Sequence, residues 1–274
     1  MKVEIAVLIE NTTPVPGLCG EYGLGILVKV DNHGILFDTG LDDGLVKNMK
    51  FMRIDPDEIE KIVISHGHFD HTNGLLSVLE YLGPRDIYLH SEAMLPKYIG
   101  KGEHKKEIGI PEITTIESRG GRLVTNSEPL ELMPGVFLSG SIPRTNDFED
   151  TGGPFFIERK QQEIPDLMED EQALIIDTDN GLVIISGCAH AGMINTLSYA
   201  RQLTGKNKIR AWVGGTHLIS ASQERILKTI EMLRAYDVES IVVAHCTGFK
   251  PTAIMVQELG ERVIKAETGY KKTF

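Results

Sequence analysis

Short runs of Val, Ile and Leu recur along this chain, and most end within a strand's length at a glycine, aspartate, serine or histidine. VEIAVLIE (3–10), GILVKV (25–30), GILFDTG (34–40), EKIVIS (60–65) and DIYLH (86–90) have this form in the first half. GVFLSG (135–140), QALIIDT (172–178), GLVIISG (181–187), IRAWVGG (209–215), SIVVAHC (240–246) and a closing RVIKAETG have it in the second. The DNHG between the second and third runs reads as a hairpin turn. Segments of helical spacing alternate with these strands. NGLLSVLEYLG (73–83) carries Leu75, Leu76, Leu79 and Leu82 at that spacing and stops at Gly83-Pro84. Ser91 stands where it can cap a short helix, and GMINTLSYARQLTG (192–205), ASQERILKTIEMLRAY (221–236) and PTAIMVQELG (251–260), with proline at its start, read as helices. Strand, helix, strand around an apolar strand core implies a layered α/β fold.

Seven of the nine histidines lie at or just past the ends of these strands, and six of them form the candidate set. His66, His68 and His71 follow KIVIS, His190 follows LVIISGCA, His217 lies just past AWVGG, and His245 ends SIVVA. In a mostly parallel sheet the carboxyl ends of the strands share one rim, where ligands bind. The pattern H-x-H-x-D-H, His66 to His71, adds a carboxylate, Asp70, to three imidazoles within one turn. Imidazole and carboxylate together suit zinc, iron, copper or nickel, and this spacing can feed two neighbouring ions. His33 in a turn, His104 in KGEHKKE and His90 at a strand end read as ordinary polar residues.

Length and composition narrow the function. A chain of 274 residues, 41% hydrophobic, can bury a large core, so residues 1–274 read as one domain of two packed halves, roughly 1–130 and 131–274. The segment 141–172 is long, polar and rich in Gly and Pro, and is expected to be an active-site loop or a surface insertion. The net charge of −11 disfavours nucleic acid as a partner. Three cysteines, Cys19, Cys188 and Cys246, give no disulfide framework. The amino terminus has no signal-peptide pattern and no apolar run has membrane-spanning length, so the expectation is a cytoplasmic protein without a membrane partner.

SHGHFDHTNG, together with Asp38 in ILFDTG, His190 in ISGCAHAG and His245 in VVAHCTG, resembles the signatures of the metallo-β-lactamase superfamily. The likeness covers nearly the whole chain. It implies a four-layer αβ/βα sandwich, two mixed sheets with outer helices, and a divalent metal: zinc, with manganese or iron as alternatives, one or two ions per chain. By that likeness His66, His68 and His190 would bind the first ion and Asp70, His71 and His245 the second. Asp38 would accept a hydrogen bond from a ligand imidazole. The family usually has a bridging aspartate where this chain has Gly215, in VGGTHL. Either His217 then contacts a metal or the substrate, or the bridge is missing. Cys188 and Cys246 are expected to be non-ligands.

LSGSIPRTNDFE, SGCAHAGMINTL, VGGTHL and AHCTGF resemble a narrower subgroup. It is named for 7,8-dihydropterin-6-ylmethyl-4-(β-D-ribofuranosyl)aminobenzene 5′-phosphate synthase, and many members are described only as metal-dependent hydrolases. That likeness implies a small, anionic substrate, a pterin or another phosphate-bearing molecule, joined to an aryl amine with release of diphosphate. Arg144 is a candidate phosphate ligand and Phe148 a candidate ring-stacking residue, with Arg159 and Lys160 as weaker helpers. Asp70 and His217 are the candidate catalytic groups, Asp70 as a proton guide. The alternatives are a hydrolase of a phosphodiester, lactone or thioester, and a non-catalytic metal-binding sensor or scaffold. Oligomeric state is not encoded in any of these signals.

Overall fold

The computed structural model describes residues 1–274. The chain divides into two compact units. One comprises Met1–Asn126, Phe155–Asp166 and Glu267–Phe274, the other Ser127–Pro154 and Leu167–Ala266.

The first unit is built on a seven-stranded sheet in the order Lys271–Thr273, Val3–Ile9, Gly25–Val30, His33–Phe37, Ile59–Val63, Arg85–His90, Gly121–Asn126. Its first three links are antiparallel and its last three parallel. The helix Leu75–Leu82 buries Leu75, Val78, Leu79 and Leu82. Val78 rather than Leu76 completes its inner face. These side chains join Leu36, Ile62, Ile64, Ile87 and Leu89 in one core. The short helix after His90 begins with the His90 side chain, not Ser91, as its cap: His90 Nδ1 accepts the Glu92 N–H at 3.1 Å.

The second unit repeats the scheme. Its seven strands run Val263–Lys265, Ser240–Val243, Ile209–Gly214, Gly181–Ser186, Leu174–Thr178, Val136–Leu138, Leu130–Met133. Here too three links are parallel and three antiparallel. The helices Met193–Thr204, Gln223–Ala235 and Phe249–Leu259 pack on a core that includes the fully buried Trp212.

The segment 141–172 is not a single loop. Residues 155–165 form a hairpin, Phe155–Arg159 with Gln162–Pro165, which pairs with Lys97–Ile99 and belongs to the first unit. Residues 141–154 belong to the second unit and are tied down: Asp150 pairs with the buried Arg225 at 2.5 Å, and Glu149 accepts the N–H groups of Ile194 and Asn195 at 2.9 Å each. Arg159 pairs with Glu92 at 2.5 Å, and Lys160 sits at the hairpin turn, exposed.

Candidate metal centre

In the first unit, Asp38 follows the strand His33–Phe37 and turns there with φ 60°, a left-handed conformation few side chains adopt at no cost. Its N–H bonds the Val63 carbonyl of the neighbouring parallel strand at 2.8 Å. Its carboxylate accepts the Ser65 N–H, the Ser65 hydroxyl and the His71 Nδ1–H, each at 2.7 Å. Ser65 Oγ lies 2.9 Å from His66 Nδ1. An ionised carboxylate has no proton to give, so the hydrogens are fixed in order. Ser65 donates to Asp38, His66 Nδ1 donates to Ser65, and His71 Nδ1 donates to Asp38. Both imidazoles therefore keep their lone pair on Nε2.

His68 begins the short helix Phe69–Thr72, its carbonyl accepting the His71 N–H at 3.0 Å and the Thr72 hydroxyl at 2.9 Å. Its ring centroid lies 4.5 Å from that of His66 and 5.0 Å from that of Phe155. Asp70 lies in the first turn of the same helix, one oxygen 3.7 Å from His71 Nε2. His66, His68, Asp70 and His71 are thus gathered in one buried cluster of the first unit.

In the second unit, three adjacent parallel strands, Gly181–Ser186, Ile209–Gly214 and Ser240–Val243, deliver His190, His217 and His245 beyond their carboxyl ends. Each delivery passes through a left-handed residue: Ala189 at φ 59°, His217 at 46° and His245 at 50°. Such strain clusters where geometry is held for function. His190 Nδ1 donates to the Thr151 carbonyl at 2.7 Å, which again leaves the lone pair on Nε2. The His190 and His217 ring centroids are 4.2 Å apart.

Opposite charges hold the His190 loop from two sides. The buried Glu171 carboxylate accepts the His190 N–H at 2.7 Å and also the Ala191 N–H. Burial pushes its carboxyl up to about 7 against the pull of those two N–H groups and of Arg144. Arg144 donates to the carbonyls of His190 at 2.5 Å, Leu167 at 3.3 Å and Ala191 at 3.4 Å. Two of its nitrogens are therefore already engaged in positioning this loop. Glu171→Gln removes one of the two acceptors and turns an amide N–H toward a backbone N–H. An unsatisfied buried donor costs roughly 1–3 kcal/mol, so the variant is expected to melt at a lower temperature and to bind zinc more weakly, as thermal unfolding and a zinc titration will show.

The remaining candidates fall as follows. Phe148 is half-buried and packs against the second unit's core, with the Lys228 ammonium 5.9 Å from its ring centroid, so its contacts are those of a loop anchor. His33 and His104 are exposed. At Gly215 a Cβ would meet the Gly187 carbonyl oxygen at 2.4 Å and Cys246 Sγ at 2.6 Å, so no side chain fits there. The two cysteines expected to stand apart lie among the donors. Cys188 Sγ, a His190 ring nitrogen and a His217 ring nitrogen are within 4.8 Å of one another, and so are donor atoms of Cys188, His245 and Cys246. Burial opposes ionisation of Cys246, but its hydrogen bond with the Cys188 side chain and the neighbouring His245 hold its thiol well below the usual range. Ser65, Thr151 and Glu171 escaped the sequence reading. Ser65 directly precedes His66 and was within reach of it, whereas a backbone carbonyl and a distant acid give no signal.

A family model described as the metallo-β-lactamase superfamily matches residues 21–245. The chain belongs to the metallo-β-lactamase superfamily. It is 35% identical over 265 residues, 91% of its own length and 88% of the relative's, to a 7,8-dihydropterin-6-methyl-4-(β-D-ribofuranosyl)-aminobenzene-5′-phosphate synthase of Methanocaldococcus jannaschii. An uncharacterized protein of the same organism is 29% identical over 248 residues, 90% of this chain and 91% of that one. A solved structure of a metal-dependent hydrolase of the β-lactamase superfamily superposes with a TM-score of 0.85 at 32% identity, covering 98% of each chain. The metallo-β-lactamase fold expected from the motifs is therefore the fold of this chain. No helix of the chain is long and apolar enough to cross a membrane.

Proposed function

We propose that the chain is a metal-dependent enzyme acting on a small, anionic, phosphate- or diphosphate-bearing substrate. Its ions would be held by His66, His68 and His190 on one side and by Asp70, His71 and His245 on the other. The observation that carries this reading is the common setting of the imidazoles. His66, His71 and His190 each engage Nδ1 with an oxygen, so each would offer Nε2 to an ion. Metal-binding histidines are held in this way by oxygen acceptors on the far ring nitrogen. Zinc is the expected ion, with manganese or iron able to use the same donors.

Bound ions supply Lewis-acid polarisation of a phosphate or diphosphate group and a lowered pKa for water. The residues of this chain do the rest. Asp38 and Ser65 fix two imidazole tautomers, while Glu171 and Arg144 fix the His190 loop. Asp70 would guide a proton, and His217, beside His190, would contact the substrate. Arg144 reaches a phosphate only with the N–H groups its carbonyl partners leave, so its main task is positioning. Phe148 contributes as an anchor of the 141–154 segment.

The likeness to the synthase supports carbon–nitrogen bond formation, in which an aryl amine displaces diphosphate from a pterin-methyl diphosphate. The 32% identical hydrolase of the same fold supports a second reading, attack by water. The two separate in one assay. The zinc, manganese or iron protein is incubated with a pterin-methyl diphosphate, with and without an aryl amine phosphate. Pyrophosphate release that requires the amine is expected for the synthase; equal release without it favours the hydrolase. Both readings predict hydrolysis of bis-p-nitrophenyl phosphate that a chelator abolishes and zinc restores. Inactivity with ester, phosphodiester and thioester panels alike would instead mean a metal-binding scaffold.

A further inference from the structure

Cys188 and Cys246 stand among the donors of the second unit but have no part in the ligand set proposed above. Both are buried, at 3% and 6% exposure, and both sit beside ligand histidines of the second unit. Within the second unit, Cys188 belongs to two donor groups at once, with His190 and His217 in one and with His245 and Cys246 in the other. Neither group contains a carboxylate. None can be supplied from position 215 either, since a Cβ there would strike the Gly187 carbonyl, Cys246 Sγ and, at 3.2 Å, the Cys188 Cα. The two cysteines fill the space that a side chain at 215 would need. The His217 N–H donates to Cys246 Sγ at 3.3 Å, and that thiol donates to the Cys188 carbonyl at 3.5 Å, so the sulfur is held in place from two sides.

We propose that Cys188 provides a thiolate shared between the two ions of the centre, and that Cys246 adds a second sulfur to the His245 side. The proposal rests on the metal-enzyme reading above. A thiolate has lone pairs for two ions, and sulfur among imidazoles favours zinc or iron over magnesium or calcium. Binding displaces the thiol protons to solvent, so the cysteines enter the site as anions and offset the ions' charge as a carboxylate bridge would. Filling of a gap by small, buried thiols is the ordinary role of such residues, and it makes no spectroscopic demand. Sulfur ligation does.

Cobalt(II) is the probe. The reduced protein, loaded with cobalt and freed of excess, is expected to show the intense near-ultraviolet sulfur-to-cobalt charge-transfer absorption, with two ions bound per chain. Cys188→Ser is expected to remove most of that band and lower the stoichiometry to one. Cys246→Ser should weaken the band and leave two ions. The wild-type spectrum alone is decisive should a variant fold poorly. Bound cobalt with no charge-transfer band would overturn sulfur ligation and leave the metal-enzyme reading standing. A band lost only in Cys246→Ser would overturn the shared role of Cys188. Failure of the wild-type protein to bind cobalt at all would overturn both readings.

Discussion

His68→Ala is expected to strip the protein of metal and turnover together while leaving its fold in place. The two hydrogen bonds that His68 gives to local structure come from its carbonyl, which accepts from His71 and Thr72, and alanine keeps both. The His68 side chain packs against the rings of His66 and Phe155. Losing those contacts leaves a small cavity, and a cost of about 1–3 kcal/mol is the usual range for such a change. Metal retention has no such reserve. Loss of a mere supporting hydrogen bond weakens a metal site by roughly 10–100-fold, and removal of a ligand goes further. Elemental analysis after dialysis should find the variant well below wild type in metal, its bis-p-nitrophenyl phosphate hydrolysis near background and its circular dichroism unchanged. Wild-type metal content would show that His68 is not a ligand.

What the sequence revealed of this molecule, and what it hid, follows from how local each signal is. The apolar strands named from the sequence and the helices Leu75–Leu82, Met193–Thr204 and Gln223–Ala235 were legible because apolar spacing is written in consecutive residues, and Gln223–Ala235 also carries its own cap, Ser222. The helix Gly44–Phe51 was missed because its start has no local cap. Glu21, more than twenty residues upstream, accepts the N–H groups of Leu41, Asp42 and Gly44 instead. Glu149 plays the same part for Met193–Thr204, reaching the helix across Gly192, where a Cβ would lie 2.2 Å from its carboxylate oxygen. The hairpin at 155–165 was hidden by its turn. Lys160 and Gln161 both adopt positive φ, 52° and 61°, where asparagine and glycine usually announce such a turn. At the site, the placement of the histidines was suggested by strand ends, and Asp38 by the family resemblance alone. Ser65, Thr151 and Glu171 act through hydrogen bonds that depend on how distant loops return, and the cysteines through a packing gap that only coordinates reveal.

The hairpin also sets the second large effect. Lys97 and Asp166 form an ion pair at 2.6 Å with 1% and 4% of their side chains exposed, and so join the strand Lys97–Ile99 to the end of the hairpin. Removing one partner leaves the other charge in a medium that solvates it poorly, a loss of about 3–5 kcal/mol. Asp166→Ala is therefore expected to lower the melting temperature by roughly 6–20 °C, at about 2–4 °C per kcal/mol for a chain of this order. Replacing both partners with apolar residues, Lys97→Met with Asp166→Leu, should recover most of the loss, because no charge is then stranded. The consequence reaches the metal centre through Phe155, whose ring lies against His68. If the hairpin detaches in Asp166→Ala, trypsin will cut after the exposed Lys160 faster than in wild type, and zinc will dissociate more readily; in the doubly apolar variant both should return toward wild type. A single variant that melts and resists trypsin as wild type does would show that the pair contributes no net stability and that the hairpin is held by its strand pairing alone.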